Sequence, residues 1–281
     1  MGSVRQLAFQ SRQLAVTVTV GPFLIGAMTG GRLTSAAVAA AGAAGTRFTL
    51  DFRAADGAWQ RGPLMSCLGV RFEDVPPVRP FRFEKGLRNF AGWWYFATGG
   101  THIGFESWLE RDHLMLMDFD PAVAAVASQP FWLRWRDEGD RARRHAPDYF
   151  ARLRDGSAVV VDVRPDDRVP ERDAATFAVT AAACGAAGWD YRRSGDLDPV
   201  LVANVRWLSR YRHRRCLVPA VAAVLLEAFA GGRGLFEGAE LAGDRLRTLP
   251  VLFHLMWQRQ LTADLSVPLG SAAVVCSGGM R

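Results

Sequence analysis

Four residues in the middle of the chain have the types and spacing for metal-assisted chemistry on a phosphate: Glu110, Asp148, Asp162 and Arg164. Asp148 follows Pro147, and Asp162 and Arg164 flank Val163. Strand side chains alternate in direction, so Asp162 and Arg164 share a face while Val163 points to the other. Asp155-Gly156, between two apolar runs, is a hairpin signal that would carry Asp148 alongside them. Glu110, one helical turn after Glu106, can add a third carboxylate from the segment before. A hard cation such as Mg2+ takes carboxylate oxygens and keeps several waters. Held there, it lowers the pKa of a bound water and orients a phosphate. A guanidinium beside it offsets charge developing on the phosphoryl oxygens. Each residue also has a plain structural reading. Glu110 could be a solvated helix acid paired with an arginine, Asp148 the start of a strand and Asp162 the end of one.

The elements that must position these groups follow from periodicity. Apolar residues at Leu109, Leu114, Leu116, Met117 and Phe119 predict an amphipathic helix over 104–120, ended by Pro121. Residues 129–137 alternate as a strand, and 147–153 and 158–164 form the two arms of the hairpin. A helix over 171–187 and a short strand at 189–193 follow. This order predicts an α/β core with a mixed sheet. Past Asp198-Pro199, helical patterns at 199–211, 217–229 and 247–258 precede the β-like tail QLTADLSVPLGSAAVV, which suggests a winged helix. The expected division is 1–79 as an extension of uncertain structure with a linker, 80–197 as the core domain, and 198–281 as the winged-helix-like domain.

Composition narrows the class. Of 281 residues, 49% are hydrophobic and 22% charged, which predicts a packed globular core. Basic residues outnumber acids eight to four over 1–80 and ten to six over 198–281, whereas 81–197 holds eighteen acids and sixteen bases. The surplus suits a polyanionic partner, and the middle segment carries the carboxylates. Lys85 is the single lysine. The four cysteines are scattered without zinc spacing and read as thiols in a reducing compartment, so the expected location is cytoplasmic. Residues 14–31 are uncharged, but Gly and Pro interrupt them and TVTV alternates. That pattern fits neither an export signal nor a membrane span well, and no membrane association is expected. The glycines of GGRGLFEGAELAG lack the GxxxxGK[ST] pattern of a phosphate loop. Neither GxSxG nor HExxH occurs.

The segments FESWLERDHLMLMDFDP, SQPFWLRW, HAPDYFARLRDG and VVVDVRP together resemble the PD-(D/E)XK nuclease superfamily, and within it the TnsA-type endonuclease subunit of heteromeric transposases. The likeness runs over about residues 80–200, and TLPVLFHLMWQRQL is similar to that family's second domain. The resemblance implies a restriction-endonuclease-like core with helices flanking a mixed sheet, followed by a winged-helix-like domain. It places Glu110 as the helix glutamate, Asp148 as the central aspartate and Asp162 with Arg164 as the final pair, with the Val163 carbonyl as a further ligand to Mg2+, for which Mn2+ would substitute. Glu106 is the alternative to Glu110, set aside because the family's acid lies in the Leu109-Glu110 dipeptide. The family usually has lysine at Arg164, and arginine cannot act as a general base because it stays protonated. The implied activity is hydrolysis of the non-transferred strand at transposon ends. The implied partners are double-stranded DNA, a DDE-type recombinase subunit and an ATPase regulator.

Other groups carry weaker expectations. His145 is a structural histidine or a phosphate contact, and Gln129 caps a strand or polarises substrate. Arg206, Arg210, Arg212, His213, Arg214 and Arg215 form either a DNA-backbone track or a solvated helix end. Trp93, Trp94, Trp132 and Trp135 read as core or sheet-face residues.

Overall fold

A computed structural model describes residues 48–81 and 90–278. The uncharged run at 14–31, the alanine-rich stretch after it and Lys85 lie outside the described residues. The chain is mixed α/β, with several sheets and six α-helices among the described residues.

The described residues open with β1 (Thr49–Arg53) and β2 (Trp59–Pro63), followed by the hairpin of β3 (Gly92–Phe96) and β4 (Thr101–Phe105). Then come α1 (Trp108–Phe119), β5 (Val123–Ser128), β6 (Trp132–Arg136), β7 (Ala142–His145), β8 (Tyr149–Leu153) and β9 (Ala158–Val163). The helix α2 (Glu171–Ala187) leads to β10 (Asp190–Ser194). Two four-stranded sheets result, ordered β2-β1-β6-β7 and β10-β9-β8-β5. The first is antiparallel. The second is mixed: β5, β8 and β9 run antiparallel, and β10 joins parallel to β9 after the α2 crossover. All six residues of β9 are buried, as befits a strand covered on both faces. Ala158 and Val160 pack on one side with Phe150, Phe72 and Cys184. Val159, Val161 and Val163 pack on the other with Tyr149, Leu114 and Met117.

Residues 171–187 form one helix, as periodicity predicts, and Gly188 ends it at φ 72°, where a side chain would be strained. The β8–β9 turn has Gly156 at φ 86°. The helix expected over 104–120 is shorter. Residues 101–105 instead pair with β3, and the Ser107 hydroxyl accepts from the Glu110 N–H to start α1.

The C-terminal region holds α3 (Pro199–Leu208), α4 (Pro219–Ala228), β11 (Arg233–Gly234), α5 (Leu235–Leu241), α6 (Arg245–Trp257), β12 (Leu261–Ala263) and β13 (Val274–Ser277). Its strands form a small sheet ordered β11-β13-β12. The glycine-rich 231–243 segment contains α5, which sequence periodicity does not reveal. Gly238 lies so close to Phe229 that an added Cβ would fall 2.2 Å from the ring. The helix α1 belongs to two cores. Leu114 and Met117 face the mixed sheet, while Met115, Leu116 and Phe119 join Val205, Leu225, Leu252 and Trp257 of the C-terminal helices. No helix among the described residues is long and apolar enough to cross a membrane. Among the four free cysteines, Cys67 and Cys184 are buried.

Candidate functional site

The head of β8 sets the centre of the site. The Gln129 N–H donates to the Asp148 carbonyl at 2.9 Å, tying the chain just past β5 to the start of β8. The Asp148 carboxylate reaches the end of β9 and accepts from the Val163 N–H at 2.7 Å. The hairpin therefore joins Asp148 to the Asp162-Val163-Arg164 segment, but through the backbone of its middle residue.

Glu110 approaches from α1. Its carboxylate accepts from the Glu106 N–H at 2.7 Å and from the Ser107 hydroxyl at 2.9 Å, while the Ser107 Oγ accepts from the Glu110 N–H. Ser107 at the N-cap takes the Glu110 N–H as in a capping box, but the Glu110 carboxylate reaches back to the Glu106 N–H, one residue before the cap. Arg79 donates twice to Glu106, at 2.9 and 2.6 Å. With its amide oriented to suit its neighbours, Gln129 donates to the Arg79 carbonyl and accepts from the guanidinium, both at 3.2 Å. Gln129, at φ 47°, neither caps a strand nor stands free; it braces Arg79.

Burial pushes both carboxyls up in pKa. For Asp148 the rise is large: desolvation comes first, then the nearby Glu110 and Asp162 charges, and the Val163 N–H and Arg164 only partly offset them. For Glu110 desolvation again leads, countered mainly by the Glu106 and Ser107 hydrogen bonds. A desolvated carboxyl whose charge a neighbouring acid disfavours, as at Asp148, will hold a proton or welcome a cation.

Asp162 faces the other way. Its two oxygens take the His145 Nε2 and the Tyr191 hydroxyl, each at 2.8 Å. Burial, followed by the Asp162 charge, raises the Tyr191 phenol far above its usual range. Arg164 points to α2, with its guanidinium 3.7 Å from Asp173. Asp162 and Arg164 thus share a face, as alternation requires, but it is the face opposite α1. The expected set is brought together only in part: the Glu110 and Asp162 charges both act on Asp148, but the Asp162 oxygens are engaged by His145 and Tyr191. Among the described residues, no group of three or more His, Cys, Asp or Glu side chains is placed to hold a metal ion. Two carboxylates with retained waters still suit Mg2+, which is commonly bound through one or two carboxylates.

The remaining expectations resolve individually. His145 is structural, holding Asp162 and packing edge-on against Phe177. Trp93 is half exposed, Trp94 donates to Asp118, Arg144 covers Trp132, and Trp135 packs on the core beneath β6. The arginine cluster splits. Arg206 pairs with Asp112, and Arg212 inserts over Trp94 while donating to the Ser209 and Tyr95 carbonyls. Arg214 and Arg215 are exposed. Arg212 and Arg214 line a cleft of about 530 Å³ with Arg154, Arg259 and Asp118, away from Glu110 and Asp148.

Sequence reasoning missed Ser107, Arg79 and Tyr191. The spacing Ser107-x-x-Glu110 is itself a capping signal, whereas Arg79 and Tyr191 meet their partners 27 and 29 residues away.

The capping role makes one expectation specific. Glu110→Gln keeps one acceptor for the Glu106 N–H and replaces the other with an NH2 that faces the Ser107 Oγ, so it should change stability little, yet weaken Mg2+ binding on the order of tenfold through the lost charge. Glu110→Ala should in addition cost about 1 kcal/mol. Equal Mg2+ affinity in wild type and Glu110→Gln, read by calorimetry, would confine Glu110 to the cap.

No family model matches this chain, and neither does any curated protein.

Proposed function

We propose that this protein is a divalent-metal-dependent DNA endonuclease, the nuclease subunit of a heteromeric transposase that cuts the non-transferred strand at transposon ends. The observation that carries the reading is the placement of Asp148, whose carboxylate accepts from the Val163 N–H and is raised in pKa by desolvation and by the nearby Glu110 charge. We read α1, β5, β8, β9, α2 and β10 as a restriction-endonuclease-like core, and the helices and small sheet beyond residue 198 as a winged-helix-like domain. A DDE-type recombinase would cut and join the other strand, and an ATPase regulator would dock on the C-terminal region.

A bound Mg2+ would polarise the scissile phosphate and lower the pKa of a coordinated water. Glu110 and Asp148 would hold it, their carboxylates oriented by the Ser107 cap and the Val163 N–H. Arg79 holds Glu106 through two hydrogen bonds, and its own charge partly offsets the effect of the Glu106 carboxylate on Glu110. Arg164 would offset charge on the phosphate.

A second reading is a catalytically inactive scaffold that recruits the recombinase and ATPase. Arginine at 164 and the engagement of Asp162 by His145 and Tyr191 favour it. Another restriction- or repair-type nuclease of the same fold is the remaining alternative. The test is Mg2+- or Mn2+-dependent nicking of a supercoiled plasmid carrying a transposon end, with and without the recombinase and ATPase. Nicking under either condition that is lost in Asp148→Ala supports the endonuclease. Partner binding without nicking supports the scaffold.

A further inference from the structure

The register of the β2-β1-β6-β7 sheet sorts its side chains into two faces. Leu50 pairs with Leu133 and points into the core with Phe52. Residues cross-strand to one another share a face. The outward set is therefore Arg53 beside Trp59, then Arg61, Asp51 and Trp132 in one row, then Thr49, Arg134 and Arg144 in the next, with Arg136 beyond. Five arginines stand on this face against one carboxylate. Asp51 is nearly buried and gathers Arg61 and Arg134 together, so it orders the two guanidiniums and leaves that cluster net positive. Arg61 keeps 64% of its side chain exposed and Arg136 65%. The acids at the rim, Asp137 and Asp140, belong to the β6–β7 turn and engage Arg143 and Arg136. Between that rim and the middle of the sheet the surface is concave, a hollow of about 570 Å³ lined by Arg61, Arg134, Arg136 and Arg143 together with the rim acids Asp137 and Asp140.

We propose that this face binds the sugar-phosphate backbone of duplex DNA, independently of sequence. Its charge fits a polyanion, because each neutralised phosphate releases counterions. Its span fits a duplex: β2 and β7 are three strand spacings apart, about 14 Å, close to the ~12 Å width of the major groove between the phosphate rows. A single strand stacked on aromatic rings fits less well. Arg144 sits 4.4 Å over the Trp132 ring and occupies it, leaving Trp59, 59% exposed, as the free indole. Arg144 and His145 are consecutive, one on the DNA face and the other on Asp162, so a backbone on this face would lie against the segment leading into Asp148. The choice of DNA as the polyanion rests on the nuclease reading above.

The test is fluorescence-anisotropy titration of a labelled 30-base-pair duplex of arbitrary sequence, in EDTA, over a range of salt. EDTA makes DNA binding independent of the Glu110–Asp148 pair, whose Mg2+ affinity is measured separately and decides the nuclease reading. Arg53→Gln, Arg61→Gln and Arg144→Gln combined should weaken binding on the order of tenfold and reduce the salt slope by about 0.9 per lost phosphate contact. The same three positions changed to Lys should bind within about threefold of wild type, as point charges still meet phosphate. Arg168→Gln, Arg172→Gln and Arg245→Gln remove equal charge from exposed sites elsewhere and should change binding little. Should the glutamine triple fail to melt cooperatively, the exposed Arg144→Gln alone should still lower the slope by about 0.9. An unchanged slope, an equal loss in the control triple, or no duplex binding by the wild type would each overturn the proposal.

Discussion

Asp148→Asn should raise the melting temperature of the metal-free protein at neutral pH by about 2–4 °C, the shift that about 1 kcal/mol gives a domain of this size. It should also abolish any stabilisation by Mg2+. The folded protein holds the Asp148 carboxyl well above its ordinary pKa, chiefly by burial. A carboxyl raised in this way favours folding at pH values below its unfolded pKa, and that contribution is lost as pH climbs through the folded value. Asparagine has no charge to bury, and its amide oxygen can still accept from the Val163 N–H. The wild type should therefore lose stability between mildly acidic and neutral pH, while the variant should follow a flatter curve. Added Mg2+ at 100 times its Kd should return about 2.7 kcal/mol to the wild type and nothing to the variant. In the assembled transposase, loss of this ligand should lower cleavage on the order of 10³-fold, since the metal supplies several kcal/mol at the transition state. A variant that melts lower than wild type in EDTA would show that the Asp148 charge stabilises the fold.

The largest effect on stability is expected from Phe72→Ala. Phe72 is fully buried, and its ring meets Phe52 at 5.3 Å, Phe131 at 5.0 Å, Phe150 at 5.6 Å and Trp189 at 5.6 Å. Phe52 belongs to β1 of the antiparallel sheet and Phe150 to β8 of the mixed sheet, so one ring joins the two. Truncation leaves a cavity that neighbours on both sheets would have to move to fill. The expected cost is about 3–5 kcal/mol, read by urea unfolding as a lower midpoint with an unchanged slope. A cost under about 1 kcal/mol would mean that the two sheets are not held through this cluster.

The elements legible in the sequence were those whose signals are local. The helix over 171–187 is bracketed by Pro170 and Gly188, and Asp155-Gly156 marks the hairpin turn. What escaped depends on distant partners. The strand Thr49–Arg53 gains its place by pairing with Trp132–Arg134 some 80 residues on, and no period within TLDFR reveals that. The segment VAAVAS is too short and too rich in alanine for periodicity to separate strand from helix, yet it forms β5 beside β8. The site was half legible for a similar reason. Alternation correctly puts Asp162 and Arg164 on one face, but it does not say which face α1 covers. Leu114 and Met117 choose the side of Val159, Val161 and Val163, which turns Asp162 away from Glu110 and toward His145 and Tyr191. Asp148, just before β8, is where the Glu110 and Asp162 charges are both felt.

The central claim is that Glu110 and Asp148 form a divalent-metal site. The direct measurement is calorimetric titration of Mn2+ into the wild type and Asp148→Ala at mildly acidic pH, in two buffers of different ionisation heat and with a duplex present in parallel samples. Metal must displace the proton that a raised carboxyl retains. The account predicts wild-type binding with proton release, seen as a buffer-dependent heat, and loss of both in Asp148→Ala. No Mn2+ binding by the wild type, with or without DNA, or binding undiminished in Asp148→Ala, would contradict it.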